Sequence, residues 1–598
     1  MAMATSTSSK LDFESILEKQ KQGYYKDYDW LSSRLSDPEI ETSELQTYIR
    51  SIRKCVTHLD RDYEVLVGIM LKLNWATRES CLIKEYQAFL LNLVSAHTYY
   101  LRAGVRMLVK HFMSHLTIVT KTGDGGDKNV EITVDDSLRQ KHDLMFVNVH
   151  LVLKAITQIV PMTPKVLIPL LGELFPFFNK DVYIQECYVK NLLQITHYLP
   201  KMRQKIMEIV IERLLKFDVR SPREEIEELQ REEDEDMEDI IFEMDDVSVQ
   251  KEIVSSVDML SIVETVPMSH KEGHKLDVLM EITFRYIHNL CYSEGELDWE
   301  ATKLLYRELL LIFETLILPT HASCHVQFIM FYICSLKQPI CEGFLDYLWK
   351  KVQDPIAQPV YRQISVCYMG SLLSRGIFVP LSTVKTCLEM MCNWIHKYLD
   401  QTGDVTLFAD VTHHGPFYAV VQAILYVFVF RNKDIFESCK GLKWAEKLNF
   451  QRIVTCRLNP LKFCLPVVVQ TFASVARSHQ LAFCDTIIER NNRQVLPVAC
   501  TNGNSDFGGK ILDSFFPFDP YILSRSRKYI LPLYREFQGS IEEGEDEEEN
   551  EEDDFITEDI ISPSNGKFTI GSLSKTPSDL MEYGVSPGFK HVQDMFKT

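Results

Sequence analysis

Three short strings hold the residues best suited to chemistry, and each is incomplete. PTHASCHVQF carries His321, Cys324 and His325, three side chains with metal-ligand atoms. Zinc needs four ligands, or three and an open position backed by oriented second-layer groups, and no second cluster stands at ligand spacing. His321 and His325 could share a helical face, and packing at an inter-helix seam is the favoured reading for both. His413-His414 ahead of Gly415-Pro416 reads as the entry turn of a helix. Gly503, Gly508 and Gly509 before Lys510 resemble a phosphate loop, but the register is wrong, Ile511 stands where Ser or Thr is required, and no apolar strand precedes them. There is no His-Glu-x-x-His, no Gly-x-Gly-x-x-Gly after a strand and no Cys-x-x-Cys. The residues predict no catalytic site, no metal and no cofactor.

What surrounds these strings is helical. Leu82, Tyr86, Phe89, Leu90 and Leu93 fall on one helical face, as do Ile206, Val210, Leu214 and Phe217, and Val384, Leu388, Met391, Ile395 and Tyr398. No alternating run is long enough to argue for a sheet. Residues 304–319 are apolar nearly all round, which predicts a helix covered on several sides. Pro161, Pro164, Pro200, Pro319, Pro339, Pro355 and Pro380 recur near the expected helix ends, often at intervals near 20 or 40 residues. That spacing fits the helix pairs of HEAT and armadillo arrays. The expected fold is all-α: a HEAT/armadillo-like helical repeat array with an acidic insert and an acidic C-terminal tail, both disordered.

The net charge of -20 over 598 residues is concentrated in two runs. Residues 223–246 hold 14 acidic and 2 basic residues, a net of -12, and residues 541–560 hold 13 acidic and none basic, a net of -13. Removing those -25 charges leaves the rest of the chain at +5. The runs have too little apolar surface to order on their own. The expected organisation is a disordered N-terminus (1–24), a helical block (25–218), an acidic insert (219–273), a second helical block (274–500), a Gly/Asn loop with an aromatic-rich closing segment (501–538) and a regulatory tail (539–598). The N-terminus lacks the features of a signal peptide. The longest apolar stretch, 420–430, is too short to span a membrane and contains Gln422. A soluble intracellular protein whose 15 cysteines remain thiols is expected.

Polar residues set into apolar helices mark candidate partner contacts. LNFQRIVTCRLNPLK and ERNNRQ place Asn449, Arg452, Arg457, Asn459, Lys462, Arg490, Asn491, Asn492 and Arg493 in such positions. A turn at Asn459-Pro460 and a hydrogen-bonded helix terminus at ERNNRQ are the structural alternatives. Ser221, in SPRE, suits a helix cap with Glu224 three residues on, and also matches kinase patterns. Ser562, Thr576 and Ser586 each precede a proline in the tail, with Ser586 favoured as a phosphorylation site. Short basic clusters leave room for weak phosphate contact and give no motif for reading DNA sequence.

ECYVKNLLQI, LPTHASCHVQFIMFYICSLK, FLDYLWKKVQDP, HGPFYAVVQAILYVFVFR, LNFQRIVTCRLNPLKFCLP, FCDTIIERNNRQVLPV and FFPFDP, in that order across about residues 24–535, resemble the RNA polymerase I-specific transcription initiation factor family. The resemblance implies a HEAT-repeat fold and no catalysis. It also implies a bridge from polymerase I, mainly through its stalk, to the promoter-bound selectivity factor, with regulation by kinases and residence in the nucleus and nucleolus with some cytoplasmic protein. Only Thr133, with Asp136 three residues on, keeps an acidic-kinase pattern in the loop where animal members are Ser-rich, and Lys201 stands where some relatives carry threonine. A nuclear transport or phosphatase scaffold is the alternative for a helical array.

Overall fold

Helices dominate because most of the chain repeats its apolar residues at helical spacing. The computed structural model describes residues 13–113, 136–231, 268–320, 323–402, 409–437, 440–494, 512 and 516–537. Strand among these residues is limited to a two-residue hairpin, Tyr292–Ser293 with Glu296–Leu297, and a bridge between Gly376 and Tyr534. The all-α architecture expected from the sequence is observed. Two compact units form, one from the described residues of Met1–Ser221 and Pro267–Asn289, the other from those of Pro222–Val266 and Leu290–Thr598. Linear order predicts a different division. The helix Lys271–Cys291 follows the acidic insert, yet its residues to Asn289 pack with the first unit, while 223–231, expected in the insert, are helical and pack with the second.

In the first unit, helices pack on the next helix but one. Thr42–Lys54 lies against Ser80–Ala96, which lies against Asp136–Ile159, and Leu101–Lys110 lies against Thr163–Glu173. The predicted stripes are the buried ones: Leu82, Tyr86, Phe89, Leu90 and Leu93 are fully enclosed, as are Ile206, Val210, Leu214 and Phe217. Trp75 stacks on Tyr86 at 4.9 Å, and the Tyr86 hydroxyl donates to the Met70 carbonyl at 2.8 Å. Pro164 and Pro339 lie in first helical turns, where the missing N–H leaves no bond unmade.

The second unit is built around Val411–Phe436, a helix of 26 residues flanked by Pro359–Arg375, Leu381–Thr402 and Pro466–Ser478. It is long and apolar enough to cross a membrane, contrary to the sequence expectation, but 83% of its most apolar window is buried by protein neighbours. It is the core helix of this unit. The stretch 304–319, expected to be covered on several sides, is instead one-sided: Leu305, Leu309, Ile312 and Phe313 are buried while Leu304 and Leu311 are about half exposed. A π-turn at Phe313–Ile317 rotates Phe313 onto Phe344 and Tyr368, at 5.1 and 4.9 Å.

His150 gives the first unit a pH dependence. Its ring contacts the Tyr198 hydroxyl at 3.0 Å and the Asn191 side-chain oxygen at 2.9 Å. Burial pushes its pKa down to about 4, against the opposing pull of the Asn191 bond. The unfolded chain therefore takes up a proton that the folded chain refuses as pH falls through about 6.5, and stability is fully present above that value and lost below it. Chemical denaturation should give an unfolding free energy about 2 kcal/mol lower at pH 5 than at pH 7.5 from this group. A His150→Asn variant should lack that component of the slope.

Candidate functional site

Two asparagines in left-handed backbone shape the surface on which most candidate contacts lie. Asn449 has φ 51° and Asn459 has φ 45°, a conformation asparagine tolerates better than most residues. Each sits immediately before a short helical segment, Phe450–Val454 and Pro460–Lys462. The Asn449 side-chain oxygen accepts from the Arg452 amide at 3.3 Å. Asn459 lies across from Asn491, and the two side-chain amides donate to each other's oxygens at 2.7 and 3.2 Å. That reciprocal pair fastens the helix Asp485–Gln494 to the turn Pro460–Lys462, joining the two strings that the sequence offered separately.

The charged side chains face outward from this frame. Arg457, Lys462, Arg490, Asn492 and Arg493 are exposed, whereas Asn491 is buried within the amide pair. Arg452 meets Asp400 at 2.5 Å, and Arg493 pairs with Glu489 one helical turn back. Lys462 and Arg490 have no carboxylate partner among the described residues. The turn predicted at Asn459-Pro460 and the bonded helix terminus at ERNNRQ both exist, so the structural role of the asparagines and an exposed role for the arginines coexist.

The anchors beneath are main-chain carbonyls and amides of irregular backbone. The Tyr418 hydroxyl donates to the Leu458 carbonyl at 2.8 Å, Gln422 accepts from the Leu465 amide at 2.9 Å, and His396 contacts the Leu448 carbonyl at 2.9 Å. Two features escaped sequence reading. Phe483 stands 67% exposed beside this surface, its amide donating to Gln451 at 2.9 Å, and Arg477 pairs with Asp485 across the preceding turn. In the first unit, a groove of about 640 Å³ is lined by Arg139, Phe146, Val147, Tyr183, Lys190 and Tyr198, among others. Leu144, Val147 and Leu151 are exposed on its helix, and their spacing of three and four was the available signal.

The metal-like strings are otherwise engaged. His325 is buried edge-on against Tyr521 at 5.5 Å and stands ahead of the helix Phe328–Ser335; His321, with which it was expected to share a helical face, lies outside the described residues. His413 contacts Asp410 at 2.7 Å, and His414 bonds the Tyr398 hydroxyl at 2.8 Å at a kink in the helix entry. Among the described residues no group of three or more His, Cys, Asp or Glu could hold a metal ion.

Ser221 differs from expectation. The following helix starts at Arg223, one residue later than a Ser221 cap requires. The Ser221 hydroxyl instead donates back to the Phe217 carbonyl at 3.1 Å and is fully buried, which closes it to a kinase in this fold. Thr133, Ser562, Thr576 and Ser586 lie outside the described residues.

Asn459→Ala should lower the unfolding free energy by roughly 1–3 kcal/mol, through loss of the amide pair and strain at positive φ. Asn449→Gly keeps the backbone conformation and should cost about 1 kcal/mol or less. Urea denaturation of both variants measures the difference.

Comparison with known proteins agrees over nearly the whole chain. Residues 5–542 match the model of the family described as RNA polymerase I specific transcription initiation factor RRN3. The mouse protein named RNA polymerase I-specific transcription initiation factor RRN3 is 42% identical over 593 residues, covering 96% of this chain and 88% of that protein. The fission yeast protein of the same description is 26% identical over 545 residues, covering 87% and 84%. A crystal structure of RNA polymerase I transcription initiation factor Rrn3 superposes with a TM-score of 0.67 at 20% identity, covering 88% of this chain and 98% of that one, a likeness of fold.

Proposed function

Because the chain belongs to the RRN3 family of RNA polymerase I-specific transcription initiation factors, we propose that it carries initiation-competent RNA polymerase I to ribosomal RNA gene promoters as a non-enzymatic scaffold. It bridges the polymerase stalk to the promoter-bound selectivity factor, and weak contact with promoter DNA adds to that bridge. The observation that carries this reading is the family match across residues 5–542, which spans the described residues of both compact units and the closing segment. The factor works in the nucleus, concentrated in the nucleolus with a cytoplasmic pool.

The surface framed by Asn449 and Asn459 is the docking face in this reading. Its support is chemical: exposed guanidinium and ammonium groups on a braced frame, with Phe483 beside them as an apolar anchor. Arginine and aromatic side chains dominate the energetics of protein interfaces, and charges that lack an intramolecular partner are the ones free to meet a partner's. Kinases tune the factor through Ser562, Thr576 and Ser586. Each phosphate adds about -1.5 to -2 charges.

Add-back to a depleted extract tests the function: purified protein should restore polymerase I initiation and bind polymerase without ATP or metal. Loss of the protein with ribosomal RNA synthesis unchanged would refute the assignment. Lys462→Glu with Arg490→Glu should weaken polymerase binding by about tenfold with normal circular dichroism. Unchanged binding removes this face from the interface. Replacing Ser562, Thr576 and Ser586 together with Ala should blunt the rise in ribosomal RNA synthesis after growth stimulation.

A further inference from the structure

The positive charge of the body is gathered in one stretch of the chain. Outside the two acidic runs the chain carries +5, and residues 440–494 alone hold nine basic and three acidic residues, a net of +6. The remainder is therefore nearly neutral. Residues 440–494 form a continuous stretch of structure, Gly441–Lys447, Phe450–Val454, Pro460–Lys462, Pro466–Ser478 and Asp485–Gln494, and all nine basic side chains are exposed. Arg452, Arg477 and Arg493 have carboxylate partners, whereas Lys443, Lys447, Lys462 and Arg490 have none among the described residues.

The closing segment ends close to where this stretch begins. Arg535 reaches Asp434 at 3.1 Å, and the Phe537 ring lies 4.8 Å from Phe430. Asp434 precedes Lys440 by only six residues. Residues 541–560, four positions past Phe537, are the run of 13 acidic and no basic residues. At ~3.4 Å per extended residue, Glu542 can lie up to ~17 Å and Asp559 up to ~75 Å from Phe537. The whole run is within reach of the basic face.

We infer that the acidic run 541–560 occupies the basic face 440–494 of its own chain in the free protein. A partner that uses the face must displace it. This rests on the reading of that face as a docking surface and adds its control. A short tether holds the run at an effective concentration near millimolar, so even a weak, salt-screened attraction keeps the face occupied. Phosphates at Ser562, Thr576 and Ser586 would lengthen the negative segment and strengthen the closure.

Zero-length carboxylate-to-amine crosslinking of the full-length monomer, read by mass spectrometry, should join residues of 542–559 to Lys443, Lys447 or Lys462. Absence of these links, or links only between two copies, overturns the inference. Replacing the 13 carboxylates with Gln and Asn should let a labelled synthetic 541–560 peptide bind the variant about tenfold more tightly than wild type at ~50 mM salt, with the difference gone at ~0.5 M. Equal binding at low salt overturns it. Adding Lys462→Glu and Arg490→Glu to the neutralised variant should abolish peptide binding. If that pair abolishes peptide binding but spares polymerase binding, the tail contact stands and the docking reading falls. If it weakens polymerase binding while tail neutralisation changes nothing, the docking reading stands and this inference falls.

Discussion

The constraint that organises the second unit is the burial of the helix Val411–Phe436 on every side. From Phe417 to Val429 no residue faces solvent, so each flank must be another segment and an enclosed polar side chain can be satisfied only inside protein. Tyr418, Gln422 and, just beyond, Arg431 meet main-chain groups of irregular backbone, at Leu458, Leu465 and Val379, while the Tyr426 hydroxyl makes no hydrogen bond among the described residues. A buried hydrogen bond left unmade costs far more than a made one contributes, so these contacts hold the chain between the helices in one conformation. The aromatic residues add the flanks. Phe428 meets Phe450 at 4.8 Å, and Tyr426 stacks on Phe516 at 4.4 Å. The basic face and the closing segment are both fixed by attachment to this one helix.

A buried cation makes the closing segment obligatory. Arg375 is fully enclosed, with its guanidinium 4.5 Å from the Phe430 ring and 5.2 Å from the Tyr534 ring. Its ion pair with Asp519 is long, 3.8 Å, and an Arg without hydrogen-bonded neutralisation depends on the aromatic faces to offset desolvation. Burial pushes the Asp519 carboxyl up to about 6, while the Arg375 and Arg223 guanidiniums pull it down. Tyr534 and Asp519 both belong to the closing segment, so undocking it would strand the cation. Arg223, at the start of the first acidic run, pulls on the same carboxyl, so residues 223–231 share the charge environment of the unit they belong to.

The helical stripes were legible because a core-facing helix repeats its apolar residues locally, and Leu82 to Leu93 or Ile206 to Phe217 needed no distant information. The candidate surface was half legible. Its polar residues stood out against apolar neighbours, but the Asn459–Asn491 pair joins positions 32 apart and leaves no periodic trace. The closing segment was the least legible. Its phenylalanines read as a loose aromatic patch, because what orders them is contact with residues 90 to 190 positions away, such as Tyr426 and Gln327. Ser221 misled for the same reason: SPRE is a valid local cap signal, and only the fold reveals that its hydroxyl turns back to Phe217. Residues 304–319 misled through composition, since a π-turn and two half-exposed leucines cannot be read from an apolar count.

The charges of this protein divide by the work they do. Arg375, Arg431 and Asp519 are enclosed or nearly so, act over a few ångströms and hold segments together. The exposed charges of 440–494 contribute little to stability, because solvated ion pairs are worth a fraction of a kcal/mol. Concentrated in one stretch of the chain, they add up to a local positive potential, and a summed potential of that kind raises association rates with opposite charge and weakens with ionic strength. A polymerase-specific initiation factor gains from such a surface, since attraction of that kind can be adjusted by a few charges without altering the core. The helix Val411–Phe436 and its attachments supply the opposite property, a rigid base that does not yield when the surface charge changes. With the two kinds of charge separated, a change in surface charge leaves the buried contacts that hold the fold untouched.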